Sequence, residues 1–358
     1  MPYQNVGTPK FYISWGDWYK SLGYNVKRFH TISPIETISV AIPENYEYKF
    51  LGSSILPPNG AYGVNFLAVL NHNLDERWKL ANKRTVAAEG NNPADADYGA
   101  EDNAAITPVV NQTIEYKGFT IYTHTALSGD FSSYSGENVS AYFRTVSGEP
   151  DAEAFTGVFG CFVFGKTYTM PHSPVKLTMT REMDGVRRIR TKGGSDLVKH
   201  QYTKPAMWGD AGAWELYSGT PTNQALSRSG RRIWDLSFSY LQDSDIFPEI
   251  STLTNYEAIQ YHEDSIHDHN VGSYYYGTTG GGLTSQEDAY SLLKPVGTSY
   301  FYSEVIHKTN GGQLPFIFQP DKNDNTNFAI CKFDQKSFSF QQIAPDLYSV
   351  KMKIREVW

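Results

Sequence analysis

Arg231–Leu241 reads RRIWDLSFSYL, and its side chains alternate in character without a break. Trp234, Leu236, Phe238 and Tyr240 fall on one side, Asp235, Ser237 and Ser239 on the other. A strand directs successive side chains to opposite faces, so this spacing predicts a half-buried strand, one face in a core and one in water. The end of the chain, Tyr348–Trp358 (YSVKMKIREVW), repeats the pattern: Tyr348, Val350, Met352 and Ile354 against Ser349, Lys351, Lys353 and Arg355. One such strand mid-chain and one at the end require a sheet that closes across the sequence between them. That sheet is the expected scaffold.

At 358 residues the chain exceeds one ordinary core, which makes two or more domains the expectation. Aromatics reach 15%, favouring β-structure and contact-making surfaces. The net charge of −7 gives no general attraction to nucleic acid, so no direct nucleic-acid partner is expected. Cys161 and Cys331 lie in apolar strands and read as buried free thiols rather than a disulfide. No apolar run approaches the ~20 residues of a membrane span. The N-terminal MPYQNVGTPKF lacks the apolar core of a signal peptide, so the chain reads as soluble and not exported by a signal of its own.

The expected fold class is mainly β (α+β). Residues 1–48 give an aromatic strand and turn, then Ser33–Pro43, a strand bounded by prolines, and are read as part of the scaffold. Residues 49–170 hold short strands between turn-rich segments, among them Val64–Leu74, Gly118–Leu127, Glu137–Val146 and Phe155–Tyr168, the pattern of an inserted jelly-roll β-sandwich. Ala87–Asp102 is an acidic Gly/Pro/Asn-rich loop, or a disordered one. Residues 171–358 are read as a β-sandwich with one principal helix and an irregular loop at 249–283. Within them Asp184–Gly185 is a two-residue hairpin signal. Thr284–Lys294 is a short helical run from a capping box. Thr298–Gly312 is the best helix, with Tyr302, Val305 and Ile306 on one face and Gly311–Gly312 to end it. LPFIFQPD and FAICKFD then flank a turn as a β-hairpin.

The order RRIWDLSFSYL, helix, LPFIFQPD, FAICKFD and IAPDLYSVKMKIREVW resembles tail proteins of tailed bacteriophages. Its strand–helix–three-strand sequence is similar to the tail-tube-like β-sandwich of tube and distal-tail (baseplate hub) subunits. The stretch from VNFLAVLNHNL to FTGVFGCFVFGKTYTMPHSP resembles the galactose-binding-like jelly roll carried by such proteins. The resemblance implies a structural virion protein, neither an enzyme nor in need of a cofactor, located in the tail. It would form a homo-oligomeric ring at the tail tip or baseplate that joins the tube to fibre, baseplate or host-contacting parts. The alternative is a carbohydrate-binding receptor-recognition protein or a polysaccharide depolymerase, with host surface polysaccharide as partner.

Several residues stand out as candidate sites. Tyr261–Asn270 (YHEDSIHDHN) places His262, His267 and His269 close together, a possible zinc or nickel set against the simpler reading of an exposed polar loop. The five-residue step from His262 to His267 does not stack two ligands on a helix, so the segment is not H-E-x-x-H. In a jelly roll, loop residues His72, Asn73, Trp78 and Tyr98 are candidate carbohydrate contacts, since sugar rings stack on exposed aromatics. The plainer reading is that they end strands or pack on the sandwich. Arg187, Arg188, Arg190 and Lys192 form a basic run, read as one charged face of a hairpin or as an inter-subunit contact that sets register. Asp321–Asn325 lacks Gly and Glu at the calcium-loop positions, where Thr326 and Lys332 stand, and reads as a turn. Gly277–Leu283 lacks the lysine of a P-loop and reads as a linker, and no G-x-S-x-G occurs.

Overall fold

The computed structural model describes residues 7–23, 26–33, 38–42, 46–51, 66–72, 78–85, 106–108, 119–124, 138–145, 155–182, 186–200, 231–246, 300–324 and 327–357. Strands dominate and helices are few. In chain order the first half holds β1 (Lys10–Ser14), α1 (Trp15–Ser21), β2 (Ile38–Ile42), β3 (Tyr46–Leu51), β4 (Phe66–Leu70), β5 (Trp78–Thr85), β6 (Ile106–Pro108), β7 (Phe119–His124), β8 (Asn138–Thr145), β9 (Phe155–Phe159) and β10 (Cys161–Thr169). There follow β11 (Lys176–Glu182), β12 (Val186–Arg190), β13 (Asp196–His200), β14 (Arg231–Gln242), the short α2 (Asp243–Ile246), β15 (Phe316–Gln319), β16 (Ala329–Phe333), β17 (Phe340–Ala344) and β18 (Leu347–Glu356).

The two strands that opened the reading, β14 and β18, pair directly and antiparallel, from Ile233 opposite Arg355 to Phe238 opposite Val350. They lie in one eleven-stranded sheet of order β11-β14-β18-β16-β15-β1-β10-β4-β7-β6, with β17 also on β18. Trp234, Leu236 and Phe238 are buried, while Asp235 faces water, as the alternation demands. β4, Cys161–Phe164 of β10 and Phe316–Phe318 of β15 read as unbroken apolar runs because these are central strands; nearly all residues of the three are buried. A sheet buried on both faces loses the period-two signal. The expected β15–β16 hairpin is present, Phe316 opposite Cys331. Its turn is tied by the Asn323 amide donating to Asp321 Oδ1 at 2.9 Å.

Strands from both sides of the 48/49 and 170/171 divisions share this sheet: β1 lies between β10 and β15, and β4, β6 and β7 continue it. The reason is visible in the packing. Phe11 of β1 contacts Phe316 and Phe318 of β15, while Tyr12 packs edge-on against Phe66 of β4. A smaller three-stranded sheet, β3-β8-β5, and a two-stranded one, β2-β9, account for the other strands of residues 38–159.

Three expectations are corrected. A hairpin of β11 with β12 is not formed: β11 pairs with β14, and β12 with β13 through the Thr191–Ser195 turn, while Asp184 and Gly185 themselves lie outside the described residues. The best helix is a single π-turn, Tyr302–His307, preceded by Phe301. Its i→i+5 winding turns Tyr302 outward while Val305 and Ile306 stay buried, so the three do not share a face. The turns that follow it run through Asn310, Gly311 and Gly312, all with positive φ, as glycine-rich helix ends do. Trp15–Ser21, read as a turn, is a helix capped by Ser14, whose hydroxyl accepts from the Asp17 amide at 3.2 Å.

Candidate functional site

The described residues offer two kinds of place where chemistry or contact can concentrate, one inside the core and one at its margins. Inside, the π-turn supplies Glu304 and Lys308, and β10 supplies Lys166. Lys308 Nζ lies 2.7 Å from Glu304 Oε2 and Lys166 Nζ 3.3 Å from Glu304 Oε1. Lys308 also sits over the rings of Trp15 and Trp18, at 5.2 and 5.6 Å from their centres. Burial pushes the Glu304 carboxyl up, but the two ammonium groups outweigh it and hold the acid below its usual range. Burial pulls Lys308 down, against the pull of Glu304. Two cations around one anion, sealed by indoles, anchor the π-turn to the sheet. Nothing in this arrangement pairs a nucleophile with a base on an open surface.

Other buried titrating groups are equally enclosed. His30 is fully buried and held near pKa 4 by burial, against a hydrogen bond with the Phe162 backbone. Cys161 and Cys331 are free and buried, and burial pushes the Cys161 thiol up to about 12, which leaves it a poor nucleophile. Among the described residues no three of His, Cys, Asp and Glu gather as metal ligands. No helix there is long and apolar enough to cross a membrane.

At the margin, the sheet ends in β11, which pairs only with β14 among the described strands. Its register is fixed from within: Arg355 Nη2 donates to Glu182 Oε2 at 2.6 Å. One strand in, Arg232 forks onto Glu356 at 2.9 and 3.1 Å, donates to Asn327 and the Phe328 carbonyl, and lies over Trp234. Beyond β11 the ribbon β12–β13 forms a separate two-stranded sheet.

The sequence candidates fall as follows. Arg187, Arg188 and Arg190 lie in β12 and Lys192 in its turn, with Arg188 paired to Asp196 across the ribbon. His72 is not a loop residue offered to solvent: it is buried at the end of β4 with Nε2 2.8 Å from Thr120 Oγ1. Trp78 opens β5. Asn73, Tyr98, His262, His267 and His269, with the 249–283 loop, the Thr284–Lys294 run and the acidic loop 87–102, lie outside the described residues.

No known protein family, curated protein or solved structure matches the chain. The margin therefore has to be read from its own residues. Sequence reasoning put Tyr240 on the buried side; the structure exposes it at a β-bulge between Phe238 and Leu241, with φ +63°. Unbroken alternation carries no sign of a bulge. The ribbon was legible only as a basic run, Arg187, Arg188, Arg190 and Lys192; the exposed Ile189 and Leu197 on it were not.

Proposed function

We propose that this chain is a structural component of a tailed-phage virion, assembled as a homo-oligomeric ring at the tail tip or baseplate that joins the tail tube to fibres or host-contacting parts. The supporting observation is the edge strand β11 of the large antiparallel sheet, which has one neighbour among the described strands; the other edge, β6, is three residues long and ends on Pro108, a blunted edge. Unpaired N–H and C=O groups along an edge are a template for another strand, and proteins that must stay alone blunt them. β11 has exposed Thr178 and Thr180 rather than a row of lysines or a proline. The tail-tube-like sandwich and the galactose-binding-like insert belong to the same proposal; a separate β3-β8-β5 sheet within residues 46–145 fits a module carried on the scaffold.

The test is to image intact particles decorated with a gold-labelled antibody against the purified chain. A ring of label where the tail tube meets its tip is the expected result. Label absent from the tail, with purified monomer that binds or cleaves host polysaccharide, would replace this reading with the receptor-recognition or depolymerase alternative.

A further inference from the structure

Six of the exposed large apolar side chains fall into two groups, one on the β12–β13 ribbon (Ile189, Leu197 and, on its other face, Val198) and one where β11 begins. The first group is on the β12–β13 ribbon. Ile189 and Leu197 are direct cross-strand partners, so they share a face, and they are 48% and 59% exposed. A lone two-stranded ribbon is marginal in water unless its apolar face is covered. It is also a basic island: residues 186–200 carry five Lys or Arg and one Asp, in a chain of net charge −7.

The second group lies where β11, β14, β18 and β17 end together. Val175, just before β11, is 66% exposed and its amide donates to Ser237 O of β14. Tyr240 is 67% exposed at the β14 bulge, beside Leu241 opposite Tyr348. Ile343 is 44% exposed at a second bulge, in β17, which falls opposite Leu347 and Tyr348 of the same β18. Exposed Asp346 turns the β17–β18 hairpin next to it. Tyr240 is the more telling of these. A bulky residue at positive φ is strained, and Gly or Asn would hold that bulge at less cost, so the strain points to a use for the ring. Bulges re-aim side chains in this way.

β11 runs from the second group to the ribbon. Its seven residues span roughly 20 Å at ~3.4 Å per residue. We propose that the ribbon of one copy seats on the Val175–Tyr240–Ile343 corner of a second copy, so that copies join head to tail. Charge complementarity selects the occupant: a basic ribbon fits the acidic remainder of its own chain, with Asp346 at the corner itself. Ribbon and corner are different surfaces, so the contact is heterologous, which generates a ring when the rotation closes. This rests on the reading that the chain assembles with copies of itself, and goes beyond it in naming the two surfaces.

The experiment measures the mass in solution of the full chain, of Ile189→Asp/Leu197→Asp (ribbon), and of Tyr240→Gly/Ile343→Asp (corner), by light scattering after gel filtration. Tyr240→Gly relaxes the bulge, so folding is retained; circular dichroism checks it, and Ile189→Ser/Leu197→Ser replaces the ribbon variant if that variant fails to fold. Wild type is expected as a multiple of 40.3 kDa and each variant as a single chain. An equimolar mixture of the two variants is expected to form a pair that grows no further, because it contains one working ribbon facing one working corner. Either variant keeping the wild-type mass overturns the ribbon–corner contact while leaving self-assembly standing. Variants that are single chains but do not pair when mixed overturn the head-to-tail geometry. A single-chain wild type overturns both this contact and the proposed ring.

Discussion

Gly16 and Gly165 sit where a side chain would collide with backbone: a Cβ on the first meets the His30 carbonyl oxygen, and on the second the Ile13 carbonyl oxygen. Neither obstacle is the movable end of a side chain. Gly16→Ala is expected to destabilise the fold by roughly 1–3 kcal/mol, read from the midpoint of urea unfolding. His30 makes a pH prediction at the same scale. Its folded pKa lies near 4, below the value of 6.5 for the free side chain. Above pH 6.5 both folded and unfolded chains hold it neutral; below that, only the unfolded chain takes up the proton. Stability should therefore fall as pH drops from about 6.5 to 4, by on the order of 3 kcal/mol from this group, and level off below. His30→Leu should flatten that slope in unfolding curves taken at pH 7 and pH 4.5. None of this was legible in the sequence, where Gly16 and His30 are fourteen residues apart and nothing marks their contact.

The π-turn is held by charge as much as by its apolar contacts. Glu304→Gln would leave Lys166 and Lys308 buried without a full counter-charge, and the expected loss is about 3–5 kcal/mol. Lys308→Met removes a cation from a site that holds two and sets an apolar thioether beside Trp15 and Trp18 in place of the ammonium; its loss should be clearly smaller. Comparing the two in thermal unfolding tests whether the carboxylate is the keystone. β14 and β18 could be read because they keep period two with one wet face, and β15 and β16 because their short apolar runs flank a turn. The π-turn could not, since a 3.6-residue template applied to Tyr302, Val305 and Ile306 mistakes its winding. The pairing of β11 with β12 that Asp184–Gly185 suggested failed for a different reason. Turn propensity is local, whereas β11 answers to a partner fifty residues away whose Trp234 and Leu236 draw Met179 and Leu177 into register.

Across the whole molecule, one sheet built from both ends and the middle of the chain has β11 and β6 as its edges among the described strands. Lysines introduced at Thr178 and Thr180 should lower self-association without lowering the unfolding midpoint, because charge on an edge strand discourages strand addition and both positions are exposed. Sedimentation of the variant against the wild type reads this directly. The continuity of the sheet was hidden from the sequence by the long stretches between its strands: β1 finds β10 and β15 through Phe11 and Tyr12, contacts that no spacing rule anticipates. The candidate surfaces were half visible. The basic ribbon stood out by composition, while the corner it is matched with depends on two bulges.

The enclosure of both native thiols, Cys161 and Cys331, has a practical use. The chain has no other cysteine, so a single one placed on the ribbon or beside Tyr240 would be the sole group open to maleimide chemistry. Distances between spin labels or fluorophores on neighbouring copies could then be measured without first deleting anything from the natural protein.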